Sequence, residues 1–289
     1  VAQDVWTISR ILAWTLGYFA DKGLDSPRLD AELLLAHVLG KSRVYLYTHY
    51  DQPLSVAERE AYRALVLRRG KYEPVAYILG SREFYGRSFK VTSDVLVPRP
   101  ETEHLVDAVL EWLAAEKFGA PRLADVGTGS GIIAVSLAAE LPTATLDAVD
   151  LSEGALVIAR ENAATHAVAE RITFCTGDLA APLVGRGPYT ALAANLPYIP
   201  ESDRAGLSPD VRLHEPSLAL FAGADGLTLV RRLIAAAPAL LARPGLVALE
   251  IGAGQWPAVQ ALLAAAGCAR TWSAADLQGH ARVALGEWR

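Results

Sequence analysis

Cysteine is scarce in this sequence: Cys175 and Cys268 are the only two among 289 residues. They have no Cys-x-x-Cys spacing and no paired histidines nearby, which argues against a structural zinc site and a disulfide framework. The six histidines, at positions 37, 49, 104, 166, 214 and 280, show no metal-binding spacing, so no metal is expected. No apolar run reaches the roughly 18 residues that a membrane helix needs. The opening VAQDVWTISR has an early Asp4 and no long apolar core, so no secretory signal is expected. A reducing cytoplasm fits these absences. Methionine is missing altogether, and no physical argument from the rest of the sequence accounts for it. There are no internal repeats and no low-complexity segments.

Strong positive charge is also missing. The formal net charge is −5, and it is unevenly spread. Residues 1–90 hold 13 Lys and Arg against 10 Asp and Glu, whereas residues 91–289 hold 14 against 22. A catalytic body that neutralises many phosphates is usually basic. A broad nucleic-acid surface is therefore not expected over 91–289, although a local basic groove stays open. Arg68, Arg69, Lys71, Arg82, Arg87 and Lys90 form a basic stretch that reads first as solvated surface and second as a face for an acidic protein or ribosomal RNA.

With 52% hydrophobic and 20% charged residues, the chain can bury a core, and its length suits about two domains. The first 80 residues read as a small helical bundle. Ile8, Ile11, Leu12, Leu16 and Phe19 fall at helical spacing, with Gly23 as a stop. Ser26-Pro27 opens a second helix, with an apolar face from Leu29, Leu33, Leu34, Ala36, His37 and Leu39, that ends at Gly40. Ser55 opens a third, with Glu58 placed for a capping box. Residues 82–97 alternate and read as a hairpin or extended linker. Pro98-Arg99-Pro100 stiffens the chain, and Glu101-Thr102-Glu103 opens a helix to about Lys117. The expected boundaries are 1–80 for a helical domain, 81–97 for a linker and 98–289 for an α/β domain.

From Arg122 onwards strands and helices alternate. Strands are expected over 122–126, 144–150, 172–178, 189–196 and 245–252, with helices at about 130–140, 152–165, 226–242 and 255–266. An irregular stretch covers 199–224. Two closing strands, 268–275 and 281–288, leave no room for a helix between them. The pattern predicts a mostly parallel seven-stranded sheet, covered on both faces, with an antiparallel edge.

The segment Asp125-Val-Gly127-Thr128-Gly129-Ser130-Gly131 sits between a strand and a helix. Its glycines allow a tight turn and close backbone approach, and the helix start offers free N–H groups. Alone it is a weak signal, equally at home in a dinucleotide fold or a plain turn. Asp150 ends the second strand about 20 residues further on, where a carboxylate can accept both ribose hydroxyls of an adenosine ligand. Asp178 ends the third, where it could face an adenine amino group. Either acid alone reads as a solvated strand end; together with the loop they converge on one crevice. The fourth strand ends in Asn195-Leu196-Pro197-Tyr198. The Asn195 side-chain carbonyl and the Leu196 backbone carbonyl can each accept from one hydrogen of a planar NH2, and Tyr198 offers a flat face. By itself this segment also fits a Pro-terminated strand with a capping Asn.

Taken together, these residues resemble class I S-adenosylmethionine-dependent methyltransferases, Rossmann-like in fold. More narrowly, the chain resembles the HemK/PrmC-type protein-(glutamine-N5) methyltransferases, which modify peptide-chain release factors. DAELLLAHVLG (30–40), REFYGRSFKVTSDVLVPRPETEHLV (82–106), HEPSLALFAGADGL (214–227) and LEIGAGQ (249–255) carry the resemblance over nearly the whole length. It implies a helical substrate-recognition domain at 1–80 and a cofactor site formed by Gly127, Thr128, Gly129, Ser130, Gly131, Asp150, Asp178, Leu179 and Asn195. It also implies Asn195, Leu196, Pro197 and Tyr198 as the catalytic and substrate-binding segment. The family motif is usually Asn-Pro-Pro-Tyr, and Leu196 replaces its first Pro. The backbone carbonyl is retained, and Pro197 still favours an extended Leu196. Leu179 stands where the family often carries an aromatic. Implied with these are S-adenosylmethionine as cofactor, a release factor as partner, no direct DNA binding, and a cytoplasmic monomer. Two alternatives stay open: an N6-adenine or other nucleic-acid amino-methyltransferase, and a non-enzymatic cofactor-binding module. A dehydrogenase is less consistent, because the loop lacks the G-x-G-x-x-G spacing.

Overall fold

The computed structural model describes residues 5–276 and 278–289. Val1–Asp4, the start of the stretch read for a secretory signal, lie outside the described residues. The chain divides into two compact units. One runs to Gly80 and takes in Ser208–His214; the other joins Ser81–Leu207 to Glu215–Arg289.

In the first unit, α1 (Ile8–Asp21) gives way to Gly23 at φ 69°, and α2 (Pro27–Leu39) ends on Gly40 at φ 61°. Both are left-handed positions that favour glycine. The buried face of α2 is rotated from the expected one. Leu29 and His37 are exposed, while Asp30 and Glu32 are buried. Both carboxylates are paired: Arg69 Nε donates to Asp30 at 2.7 Å, and Arg28, Arg43 and the Tyr47 hydroxyl donate to Glu32 at 2.9, 2.6 and 2.6 Å. A buried charge is tolerated only with such partners, and an apolar period cannot reveal them. Two short helices, α3 (Arg43–Thr48) and α5 (Val75–Leu79), add to the three expected. The capping box of α4 (Val56–Arg69) is present: Glu58 N donates to Ser55 Oγ at 3.2 Å, and Ser55 N to Glu58 Oε2 at 2.7 Å. Ile8, Phe19, Leu34, Leu35, Tyr62 and Val66 form the core of this unit.

The second unit opens with a hairpin, β1 (Ser81–Phe84) and β2 (Arg87–Lys90). Tyr85 and Gly86 turn it with φ of 50° and 68°, as a two-residue hairpin turn requires. Helix α6 (Glu103–Ala115) grips that turn. Glu103 Oε1 accepts from Tyr85 N at 2.8 Å, and Asp107 Oδ1 from the Tyr85 hydroxyl at 2.7 Å.

The main sheet follows, with β3 (Arg122–Val126), α7 (Ile132–Glu140), β4 (Thr145–Asp150), α8 (Glu153–Thr165), β5 (Ile172–Thr176) and β6 (Tyr189–Ala194). Helix α9 (Pro209–His214) belongs to the first unit, where His214 Nε2 lies 3.0 Å from the Lys71 carbonyl oxygen. Then come α10 (Thr228–Leu240), β7 (Leu241–Glu250), α11 (Trp256–Ala265), β8 (Arg270–Ala275) and β9 (Ala281–Trp288). The strand order is β5-β4-β3-β6-β7-β9-β8, parallel except for β9, which runs antiparallel to both its neighbours. Two cores cover the sheet. Val109, Trp112, Ile133 and Leu137 of α6 and α7 pack in one, and Val230, Leu233, Val259 and Leu263 of α10 and α11 in the other. This is the mostly parallel Rossmann-like fold with an antiparallel edge. The order reverses between β3 and β6, so the loops leaving those two strands part to either side of a crevice, where open α/β sheets bind ligands.

Candidate functional site

The carboxyl ends of β3, β4, β5 and β6 border a cavity of about 580 Å³. Gly127, Thr128, Gly129, Ser130, Asp150, Asp178, Leu179, Asn195, Leu196 and Pro197 all line it. Gly131 and Tyr198 are not among the lining residues. Gly131, at φ 82°, caps α7, and a Cβ there would meet that of Ala159 at 3.1 Å, so this glycine serves helix packing. Tyr198 is half-buried, with its hydroxyl 3.5 Å from Glu250 Oε1.

The glycine loop is held by the next strand. Gly127 N and Thr128 N both donate to the Val149 carbonyl, at 2.8 and 2.9 Å. Gly127 has φ 76°, and a Cβ on it would stand 3.1 Å from Leu196 Cδ2. The loop and the Asn195–Tyr198 segment thus approach as closely as an absent side chain permits. Leu196 is buried, packed in the core shared by α10 and α11.

Asp150 does two jobs already. Its Oδ2 accepts from Gly129 N at 2.8 Å and its Oδ1 from Ser152 N at 2.9 Å. A carboxylate has about four lone-pair sites, so both oxygens can still accept from a ligand. Beneath the loop, Asp125 is fully buried; its Oδ2 accepts from Thr128 Oγ1 at 2.6 Å and Ala134 N at 3.0 Å. Burial pushes this carboxyl up to about 7. Asp178, expected to face an adenine amino group, lines the cavity and is also ion-paired: Arg232 of α10 donates to its Oδ2 at 2.5 Å, both side chains about half exposed.

The polar chain behind Asn195 was not visible in the sequence. Asn195 Nδ2 donates to Thr102 Oγ1 at 3.0 Å, and Thr102 Oγ1 donates to Glu250 Oε2 at 2.6 Å. Thr102 and Glu250 are both buried. Burial pushes Glu250 up to about 7, with Glu101 adding to the shift and Thr102, Arg282 and Tyr198 opposing it. The folded chain holds this proton to a higher pH than the unfolded chain, whose carboxyl titrates near 4.5. Ionising it therefore costs stability as pH rises from about 4.5 to about 7. Glu250→Gln escapes that cost, so its stability relative to the native chain is expected to rise by roughly 1–3 kcal/mol across this window. Urea denaturation of both proteins at the two ends of the window checks this; a pH-independent difference contradicts it.

Sequence reasoning also missed Arg99, which lines the cavity and donates to the buried Glu215 at 2.6 Å. Both belong to segments that carry the family resemblance, but 116 residues separate them in sequence. Among the described residues no group of three or more His, Cys, Asp or Glu is placed to hold a metal ion, and no helix is long and apolar enough to cross a membrane.

Comparison with known proteins narrows what this cavity belongs to. Residues 10–80 match the model described as "PrmC N-terminal domain", and residues 123–212 the model described as "Methyltransferase domain". The chain is 42% identical over 283 residues to a release factor glutamine methyltransferase of Geobacter sulfurreducens, covering 98% of this chain and 97% of that one. It is 44% identical over 268 residues to one of Chlorobaculum tepidum, covering 90% of each. Among solved structures, the N-terminal domain of human METTL16 in complex with SAH aligns with a TM-score of 0.55 at 18% identity, covering 88% of this chain and 93% of that one. At that identity the likeness speaks for the fold.

Proposed function

The chain belongs to the release factor glutamine methyltransferase family, and from that premise we propose that it methylates the side-chain amide nitrogen (N5) of the Gln in the Gly-Gly-Gln motif of peptide-chain release factors. It is an S-adenosylmethionine-dependent methyltransferase. The cavity suits that cofactor: a glycine at positive φ keeps the loop wall low at Gly127, and carboxylate acceptors stand at two strand ends. Gly127–Ser130 would hold it through the loop backbone, Asp150 would accept from its ribose, and Asp178 and Leu179 would border its adenine. When bound, it supplies an electrophilic methyl group on a sulfonium.

The chain's own contribution is to orient a poor nucleophile. An amide nitrogen shares its lone pair with its carbonyl. Asn195 Oδ1 and the Leu196 carbonyl would each accept one hydrogen of the substrate NH2, turn the nitrogen towards the methyl and raise its electron density. Pro197 keeps Leu196 extended, and Tyr198 closes the segment. Most of the acceleration then comes from positioning and fixed dipoles. The excess proton leaves after transfer, so no general base is required before attack. The observation that carries this reading is the Asn195 amide: its Nδ2 is committed to Thr102, which leaves Oδ1 as the acceptor at the cavity wall.

In this reading residues 1–80 recognise the release factor, 81–97 link, and 98–289 carry the chemistry, in a monomer working in the cytoplasm without DNA contact. The test is incubation with methyl-labelled S-adenosylmethionine and, in separate tubes, a release factor, tRNA and DNA. Label is expected in the release factor alone. Label in a nucleic acid, with none in the factor, would overturn the reading in favour of a nucleic-acid amino-methyltransferase.

A further inference from the structure

We propose that Thr102 and Glu250 are positioning residues that lock the Asn195 amide with its oxygen, and not its NH2, towards the substrate nitrogen. The inference deepens the reading above and rests on it. Its basis is the direction of the hydrogen bonds. A Thr hydroxyl has one proton to donate and lone pairs to accept with. When Glu250 is ionised, or carries its proton on Oε1 beside the Tyr198 hydroxyl, its Oε2 can only accept, and Thr102 donates that proton to it at 2.6 Å. It can then meet Asn195 only as an acceptor, and only the Asn195 NH2 can donate to it, as it does at 3.0 Å. Oδ1 has no part in that bond, and on the cavity wall that Asn195 lines it is the amide's acceptor for a substrate.

Several features point to a dedicated arrangement. Thr102 joins the 3-10 turn Pro100–Thr102 to α6 with helical dihedrals, so its hydroxyl is not engaged in capping and is available to other partners. It is completely buried, and its hydroxyl is spent on Asn195, just past β6, and Glu250, at the end of the neighbouring β7. Glu250, at the end of β7, is 2% exposed, an expensive place for a carboxylate unless its bonds are needed. Without the acceptor on Glu250, Thr102 could donate to Asn195 Oδ1 instead. The amide would then turn over and oppose its NH2 to the substrate NH2, donor against donor. A reversed amide costs little in folding, because every group at Thr102 stays bonded. It costs the reaction its acceptor.

The experiment is single-turnover methyl transfer to an intact release factor, at saturating cofactor and factor, with cofactor affinity measured by calorimetry on the same samples. Thr102→Val keeps the shape and removes the hydroxyl; Glu250→Leu removes the acceptor. Each is expected to slow transfer by about 10- to 100-fold, a fraction of what a lost preorganised contact costs at a reacting centre. Cofactor affinity should stay within about twofold, which also reports an intact fold. Thr102→Ser and Glu250→Gln retain the bonding pattern and should transfer within about threefold of the native rate. In an Asn195→Ala background, Thr102→Val should cost less than about twofold more, because the group it orients is gone. A native rate in Thr102→Val, equal losses in the conservative and disruptive variants, or additive losses with Asn195→Ala would each overturn the inference. If the native chain transferred no methyl to the factor, the functional reading itself would fall, a result distinct from a fully active Thr102→Val.

Discussion

Asn195→Ala is expected to slow single-turnover methyl transfer to a release factor by about 10²-fold or more, the scale for losing one preorganised contact at a reacting centre. That is about 2.7 kcal/mol of transition-state stabilisation. The reason is specific to an amide nucleophile. Its nitrogen must be held by acceptors before its lone pair can be directed, and Asn195 supplies one of the two. Cofactor affinity should fall much less, because the substitution removes an acceptor for the substrate NH2 and leaves the glycine loop and Asp150 untouched. The variant also frees Thr102, but that hydroxyl keeps Glu250 as its partner. A rate within about threefold of native would mean that the nitrogen is oriented by other groups.

Asp150→Ala should have its effect on the other reactant. Its carboxylate braces the loop at Gly129 N and the start of α8 at Ser152 N, and it stands at the cavity wall with lone pairs to spare. Removing it takes away the ribose acceptor and releases a loop amide together. S-adenosylmethionine binding is expected to weaken by roughly 1–3 kcal/mol, or about 5- to 150-fold. Calorimetric titration checks this, and an unchanged affinity contradicts the assignment. At saturating cofactor the transfer rate should be close to native, which separates this variant from Asn195→Ala.

The parts of the fold that were legible in the sequence are those with a local pattern. Arg122–Val126 and Ala281–Trp288 are continuous apolar or alternating runs bounded by turn residues, and the strands fall there. The glycine loop and the acid at Asp150 were legible because a tight turn and a strand end each leave a local mark. Arg43–Thr48 and Val75–Leu79 are too short to establish a 3.6-residue period, and they passed unseen as helices. The fifth strand is expected only from Gly245, yet β7 begins at Leu241 and runs through Pro244. The face of α2 was misread because Asp30 and Glu32 are buried with partners as distant as Arg69.

The site shows the same division. Asn195 and its neighbours were found as a motif, but what orients them was not. Thr102 lies 93 residues from Asn195 and 148 from Glu250, so the contact exists only once β6, β7 and the start of α6 are brought together by the sheet order. The ion pair between Asp178 and Arg232 is hidden for the same reason: nothing near Asp178 in the sequence hints that α10 will present an Arg to it.

The most direct measurement is tandem mass spectrometry of a release factor after incubation with this protein and S-adenosylmethionine. One added methyl group is expected, on the side-chain amide nitrogen of the Gln in the Gly-Gly-Gln motif, and over the same initial-rate interval Asn195→Ala is expected to add only about a hundredth as much. A methyl group on any other residue, or equal modification by native protein and Asn195→Ala, would contradict the account.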